Sequence, residues 1–512
     1  MYYAVDSYKM RSIDNYSIDV LKIPSLVLME RAAYEVALIV KANVKKSDSI
    51  LVVCGTGNNG GDGIAAGRIL FLQGYQVAIL FIGLEENCSE QTKLQLAIAR
   101  NIGIHFENSN KLNEYNIIID GIFGIGLSRP VDGEQAEIIE DINNKGFRVF
   151  SVDIPSGISA DDGRIMNVAI KAEYTITFGW NKQGLLLYPG AEYAGNIIVA
   201  DVGFPQQALH QSKPNTFYYG SQDLEHLPNR RPNGHKGSFG KVLVIAGSKG
   251  MSGAAYLSAK AAYKTGAGLV KVFTETENRI ILQTLLPEAL FAAYDDINLI
   301  KDEEALAKEL DWASTIIIGP GLGQSDIAND ILWFTLKNSK VPVIIDGDAI
   351  NLLAKKLDTI SDNIDERITW LGNNIGNQVI LTPHLKELSR LLLKAVDEIS
   401  TQIIDTANQC SYNNNLIYTI KDARTVVAHG NDNYINVSGN NGMATGGSGD
   451  VLTGVIGGLV AQGMELYLAT CLGVYIHGLA GDKAAARVGT FSLTASDIIS
   501  SLEEVLSSGI RR

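Results

Sequence analysis

The sequence predicts an α/β protein of two domains, each built on a mostly parallel sheet with helices on both faces. Short apolar runs repeatedly feed a glycine- or proline-containing turn and then a stretch of helical spacing, the signature of parallel strand–helix units. At 512 residues the chain exceeds the usual size of one domain. Between Gln206 and Ser238 periodicity is lost and Pro214, Pro228, Pro232, Gly234 and Gly237 collect, which places the boundary there and gives domains over 1–215 and 225–512.

In order, Leu26 to Val44 reads as an amphipathic helix, and Ser49 to Cys54 as a strand. GTGNNGGDG follows, then a helical pattern over Ile64 to Gln73 and a second strand from Gln76 to Ile82. Gly55, Gly57 and Gly60 satisfy G-x-G-x-x-G, and Glu85 and Glu86 stand where a ribose-binding acid would sit, so nicotinamide-dependent hydride transfer is one reading. Asn58, Asn59 and Asp62 oppose it, because side-chain oxygens and a negative charge do not cradle a pyrophosphate.

Strands predicted over Tyr115 to Ile119 and Arg148 to Val152 deliver Asp120 and Asp153 to their carboxyl ends, the edge where open α/β sheets bind ligands. Each could instead cap the next turn. Asn59, Asp120 and Ser156 together offer hard oxygen donors for a cation.

In the second half, KVLVIAGSKGMSGAAYLSAKAA opens a new strand, glycine turn and small-residue helix. Thr315 to Ile318 feeds GPGLG, Val341 to Ile345 feeds DGDAINLL, and Val379 to Leu381 feeds TPHLKEL, leaving His384 at a strand end. Tyr434 to Val437 reads as a strand ahead of a glycine-rich turn, and helical spacing begins at Val451. Gly446, Gly447 and Gly449 allow close backbone approach to a ligand, and Asp450 is the sole charged residue between Asp432 and Glu465. A carboxylate beside a helix N-terminus can take a proton from a substrate hydroxyl while backbone amides hold a transferring phosphoryl group. The plainer alternative is that Asp450 caps the helix.

Composition narrows the partners. With 43 basic against 56 acidic residues the formal charge is −13, and no Lys/Arg run exceeds two, so nucleic acid is excluded as a partner. Cys54, Cys88, Cys410 and Cys471 lack C-x-x-C spacing, which points away from zinc and disulfides and toward a reducing cytoplasm. The N-terminus has no signal-type apolar core, and the apolar stretch from Val451 to Ala480 is broken by Gln462 and Glu465, which reads as two buried helices rather than a membrane span.

The ordered motifs MRSID, LMERAA, GTGNNGGDG, DGIFGIGLSRP and DIPSG, then HKGSFG, AGSKGMSGAA, GPGLG, TPH and NGMATGGSGDVLTG, resemble those of the bifunctional NAD(P)H-hydrate repair enzymes over almost the whole chain. The resemblance implies an N-terminal Rossmann-like αβα sandwich that epimerises the R and S hydrates NADHX and NADPHX. It implies a C-terminal ribokinase-like αβα sandwich that dehydrates the S form at the expense of ADP with Mg2+, releasing AMP and phosphate. By the same resemblance Asn58, Asn59, Gly60, Gly61 and Asp62 bind the hydrate, with Gly124, Ile125, Gly126, Leu127, Ser128, Arg129, Pro130 and the catalytic Asp153. Asn59, Asp120 and Ser156 would hold K+. Ala254, Gly321, His384 and the catalytic Asp450 would contact substrate in the second domain. Lys421, Asp422, Ala423, Arg424 and Thr425 with Gly449 would hold the adenine nucleotide, Asp422 departing from the glycine common after that lysine. A homo-oligomer is also implied. The competing expectations are a ribokinase-type small-molecule kinase, and a first domain that serves as a non-catalytic binding module.

Overall fold

The computed structural model describes residues 1–294, 299–376, 378–412 and 414–508. The chain divides into two compact units, Tyr3–Thr216, and Phe217–Arg512 with Met1–Tyr2.

The first unit holds a seven-stranded sheet: β1 (Ser49–Cys54), β2 (Gln76–Phe81), β3 (His105–Phe106), β4 (Ile117–Gly121), β5 (Arg148–Val152), β6 (Tyr174–Phe178) and β7 (Asn196–Ala200). Its order is β3-β2-β1-β4-β5-β6-β7, and every pairing is parallel. Strand alternation explains the two cores. Ile50, Val52 and Cys54 pack toward the helices Ser25–Asn43 and Asn58–Leu72, whereas Leu51 and Val53 pack toward Ile138, Ile139 and Ile142 of the helix Gly133–Lys145. Because both faces are covered, β1 reads as a continuous apolar run rather than an alternating one.

The second unit repeats this plan in β8 (Lys241–Ile245), β9 (Leu269–Glu275), β10 (Leu290–Tyr294), β11 (Thr315–Ile318), β12 (Val343–Ile345), β13 (Val379–Leu381), β14 (Ile417–Ile420), β15 (Val426–His429) and β16 (Asp432–Ile435). The order is β10-β9-β8-β11-β12-β13-β14-β15-β16, parallel except for the antiparallel pairs that β15 makes with β14 and β16. In each unit the sheet reverses direction beside its first strand, between β1 and β4 and between β8 and β11. A crevice at the carboxyl ends is the geometric result.

Two helices begin earlier than the spacing predicts. Asn58 to Asp62 form the opening of the helix Asn58–Leu72, and Ser448 to Asp450 open the helix Ser448–Ala461. Both starts are glycine-rich and packed on several sides, so they carry no amphipathic stripe for a periodicity argument to detect. A side chain at Gly60 would collide with the carbonyl of Gly55, and one at Gly55 with the carbonyl of Ile122. These glycines therefore let the turn after β1 press against the loop after β4. The strand expected over Tyr434 to Val437 is Asp432–Ile435, and beyond it the Asn436 side chain accepts from the Tyr434 hydroxyl and donates to the Ser438 carbonyl.

The apolar segment from Val451 onward is two helices, Ser448–Ala461 and Leu466–Val488, the first almost wholly buried. Among the described residues no helix is long and apolar enough to cross a membrane. All four cysteines are buried free thiols.

Candidate functional sites

In the first unit a cavity of about 770 Å³ opens at the carboxyl ends of β1, β2, β4 and β5. Of the residues expected to bind a ligand, Asn58, Asn59, Asp62, Asp153 and the stretch Gly124 to Arg129 line it. Gly60, Gly61 and Pro130 do not. Gly60 abuts the Gly55 carbonyl, and a side chain at Gly61 would meet the tips of Met29 and Thr92, so these two serve close packing.

Asp153 follows β5 at a φ of +63°, a left-handed conformation that costs energy for a residue with a Cβ. Its Oδ1 accepts hydrogen bonds from Lys182 Nζ at 2.5 Å, the Phe178 amide at 3.0 Å and the Thr177 hydroxyl at 3.1 Å. Lys182 Nζ also donates to the Thr177 hydroxyl and the Phe178 carbonyl, so all three of its protons are used. Lys182 is wholly buried. Burial pulls its ammonium below the usual lysine range, and the Asp153 charge opposes that fall.

Two further carboxyls face this chamber. Asp62 is driven well above the ordinary carboxyl range by burial and then by the charges of Asp153 and Asp14, and Asp14 is raised by burial and by Asp153 and Asp19. Asp62 and Asp153 thus bring two carboxyl groups in different surroundings to one chamber. Asp14, on the helix Ser7–Asn15, and Lys182 are site residues that spacing missed. MRSID carried Asp14 as a motif letter only, and a lysine on a two-residue strand gives no periodic signal.

Asp120 and Ser156 meet behind the cavity wall, and Asn59, which lines the cavity, reaches the Phe123 carbonyl beside them. The fully buried Asp120 accepts from Ser156 Oγ at 2.5 Å, Ser156 N at 2.9 Å, Ser151 Oγ at 2.8 Å and Ile122 N at 3.3 Å. Burial raises its carboxyl and these donors pull it back. Asn59 Nδ2 donates to the Phe123 carbonyl at 2.8 Å, and Ser156 Oγ, whose proton goes to Asp120, accepts from the Phe123 amide at 2.8 Å and lies 3.3 Å from the Phe123 carbonyl. The donors here are one carboxylate and otherwise neutral oxygens. No group of three or more His, Cys, Asp or Glu side chains placed for a metal occurs among the described residues.

In the second unit a cleft of about 370 Å³ lies at the corresponding sheet edge. Ala254, Gly321 and Asp450 line it, with Met251, Asp348 and Glu387. Gly321, at a φ of +57°, packs so near Ala254 and Met251 that an added Cβ would lie 2.9 and 3.0 Å from theirs.

Asp450 stands in the first helical turn after Gly447, whose φ is +88°. No hydrogen bond to its carboxyl occurs among the described residues, so the capping role is not taken up through its side chain. Burial, then the charges of Asp346 and Asp348, push it up to about 7 against the pull of Lys421. Beneath the turn, Lys421 Nζ binds Asp346 Oδ1 at 2.6 Å, and Thr382 Oγ1 donates to the same oxygen at 2.8 Å. Burial acts to lower the Lys421 ammonium, but Asp346 and Glu387 outweigh it and hold it above its ordinary value. An added Cβ on Gly449 would sit 3.2 Å from Lys421 Nζ, which brings the lysine and the glycine turn to one spot. The rest of the Lys421 to Thr425 segment is the loop joining β14 to β15. There Arg424 donates to the Val437 carbonyl, Asn436 N donates to the Thr425 carbonyl, and Asp422 is exposed.

His384 is the N-cap of the helix Leu385–Leu392. Its Nδ1 accepts from the Glu387 amide at 3.2 Å, and its Nε2 lies 3.2 Å from Glu387 Oε1. With Nδ1 accepting, the neutral ring carries its proton on Nε2. Burial lowers the imidazole further, and Lys421 adds to that. It is Glu387, not His384, that lines the cleft. Asp346 and Glu387 are the residues here that spacing missed, DGDAINLL and TPHLKEL having drawn notice as loops.

Comparisons with known proteins agree with this division. Residues 242–504 match the family model described as NAD(P)H-hydrate dehydratase, and residues 25–184 match that of the YjeF-related protein N-terminus. The chain is 34% identical to a bifunctional NAD(P)H-hydrate repair enzyme of Thermofilum pendens over 97% of its own length and 95% of the relative's. It is 33% identical to the Escherichia coli enzyme of that description, over 99% of this chain and 94% of the other. A solved ribokinase-like superfamily protein of Enterococcus faecalis aligns with a TM-score of 0.50 at 28% identity, covering 57% of this chain and 96% of that one.

Proposed function

The chain belongs to the family of bifunctional NAD(P)H-hydrate repair enzymes, and on that premise we propose that it restores hydrated NADH and NADPH. The first unit interconverts R- and S-NAD(P)HX, and the second dehydrates the S form with ADP, giving NAD(P)H, AMP and phosphate. The observation that carries this reading is Asp450, a carboxylate unbound by other side chains, raised to about 7 and set at a glycine-rich helix start beside Lys421.

The chemistry follows from the hydrate. Its hydroxyl is on C6 next to the ring nitrogen and is a poor leaving group. Asp450 takes the hydroxyl proton as the oxygen attacks the β-phosphorus of ADP, and the backbone amides at Gly447 to Gly449 face the phosphoryl charge. Lys421 supplies the fixed positive charge for that transfer, and Mg2+ would accompany the ADP phosphates. The phosphate ester then leaves under the push of the nitrogen lone pair. In the first unit, Asp62 in its acid form and the Asp153 carboxylate face one chamber, as acid and base for exchange of the C6 hydroxyl.

Asn59, Asp120 and Ser156, with the Phe123 carbonyl, make a donor set that fits a hard monovalent cation, and K+ is proposed there. It would fix the turn after β1 against the loop after β4. Four buried free thiols support a reducing, cytoplasmic setting. A homo-oligomer is proposed from the resemblance and is read by sedimentation.

The test is incubation of NADHX with ADP or ATP while following 340-nm absorbance, AMP and phosphate. Recovery of the chromophore with stoichiometric phosphate is expected. A stable phosphorylated product with no chromophore would show a small-molecule kinase instead.

A further inference from the structure

Phosphorylation and loss of phosphate do not by themselves yield a dihydropyridine. When the C6–O bond breaks, its electron pair leaves with phosphate and the N1 lone pair forms an N1=C6 iminium. The ring is restored only when the C5–H bond breaks, its electrons forming C5=C6 and returning the lone pair to N1. A base must receive that second proton, and Asp450 has already received the hydroxyl proton.

Three carboxyls line the cleft: Asp348, Glu387 and Asp450. Asp348 is committed to the loop after β11, where its oxygens accept from the Gly323 amide at 2.9 Å and from Gln324 Nε2 at 3.1 Å. Glu387 makes as many contacts, but both are to His384 at the start of its own helix, and unlike Asp348 it acts on Lys421. Its Oε2 accepts from the His384 amide at 2.9 Å and its Oε1 faces His384 Nε2 at 3.2 Å, which fixes the carboxyl on the helix Leu385–Leu392 with its edge on the cleft. Both Glu387 and Asp450 act on the Lys421 ammonium, which places them around one cation at the same end of the sheet. Glu387 is nearly inaccessible to solvent, so a proton delivered there is shielded from bulk water.

We propose that Glu387 is a second catalytic base of the dehydratase, taking the C5 proton of the iminium after Asp450 has taken the hydroxyl proton. The inference rests on the dehydratase reading and assigns a residue to its last step. Burial raises Glu387 to about 7, which keeps both the carboxylate and its conjugate acid accessible near neutrality. Each turnover then leaves one proton on Asp450 and one on Glu387, and both pass to solvent before the next.

Glu387→Gln keeps the shape and one acceptor oxygen but cannot take the proton. In a rapid-quench single turnover with S-NADHX and ADP, AMP formation is expected to fall less than ~10-fold and NADH formation by ~100-fold or more. AMP then runs ahead of NADH at least tenfold. In H₂¹⁸O the recovered hydrate gains label in an ADP-dependent manner, as water recaptures the iminium. Equal falls in AMP and NADH, or no fall in either, would overturn the proposal, the latter assigning the proton to the departing phosphate. Should Glu387→Gln lose ADP-dependent thermal stabilisation, Glu387→Asp is used with hydrate carrying deuterium at C5. A kinetic isotope effect on NADH larger than that of the wild type, with none on AMP, is expected, and an unchanged effect would refute the role. Failure of the functional reading looks different: the wild type would form neither AMP nor NADH.

Discussion

The two units solve the same topological problem and put different carboxylates at the solution. Each sheet reverses order beside its first strand, and each crevice is lined from the strands' carboxyl ends. In the first, Asp153 is strained in backbone, buried and locked by three donors, one of them a buried lysine. In the second, the Asp450 carboxyl has no hydrogen-bond partner among the described residues and is poised near 7 by burial and by like charges. A pinned carboxylate keeps its position through a reversible exchange at one carbon. A poised one can pick up a proton and give it back, as phosphoryl transfer requires. Fold topology alone therefore fixes where chemistry occurs, and the local partners of one aspartate decide which chemistry it is.

The comparison breaks most readily at Lys182. Lys182→Met strands the Asp153 carboxylate in a buried site, and the first unit is expected to lose about 3–5 kcal/mol of stability, measured by urea unfolding. A variant that unfolds in urea at the wild-type midpoint would leave the pair without a stabilising role. Asp450→Asn should lower dehydration at least ~100-fold, equivalent to about 2.7 kcal/mol of barrier, with ADP binding kept because backbone amides and Lys421 remain. Near wild-type recovery of NADPH from the S epimer in that variant would reduce Asp450 to a helix cap.

With Asp153→Asn, a mixture of epimers and ADP should give a fast phase ending when the S form is exhausted and then a slow tail. Added separate epimerase should merge the phases. A single fast phase would mean that Asp153 is dispensable or that the cleft takes both epimers, and separately prepared epimers distinguish these.

Activity and stability should move in opposite directions with pH in the second unit. Asp450 and Glu387 act as bases, so dehydration should rise with pH through about 7. The same raised values mean that the folded state holds protons more tightly than the unfolded chain. Their contribution to stability is present in full below the ordinary carboxyl range and is lost as pH rises toward about 7. A dehydration profile flat from pH 6 to 8 would count against both bases. The smallest effect expected is a few-fold slowing of epimerisation when K+ is replaced by tetramethylammonium, abolished in Asp120→Ala. Equal rates in the two salts would remove the cation from the first site.

The sequence by itself determined the α/β class, the placement of Asp120, Asp153 and His384 at strand ends, and the singular position of Asp450. Those features are local: a strand and the turn that ends it are contiguous in the chain, and glycine marks where backbone approaches backbone. The sequence could not show that Asn58 to Asp62 and Ser448 to Asp450 are helical, because a helix start made of glycine and polar residues has no periodic apolar face. Nor could it show that Lys182 closes on Asp153, that Asp14 enters the first chamber, or that Lys421 joins Asp346 across two strands. These partners stand from 29 to 139 residues apart in the pairs Asp153–Lys182 and Asp14–Asp153. The difference between a pinned aspartate and one raised to about 7 is set by burial and by such distant partners, which exist only once the sheets have assembled and water has been excluded.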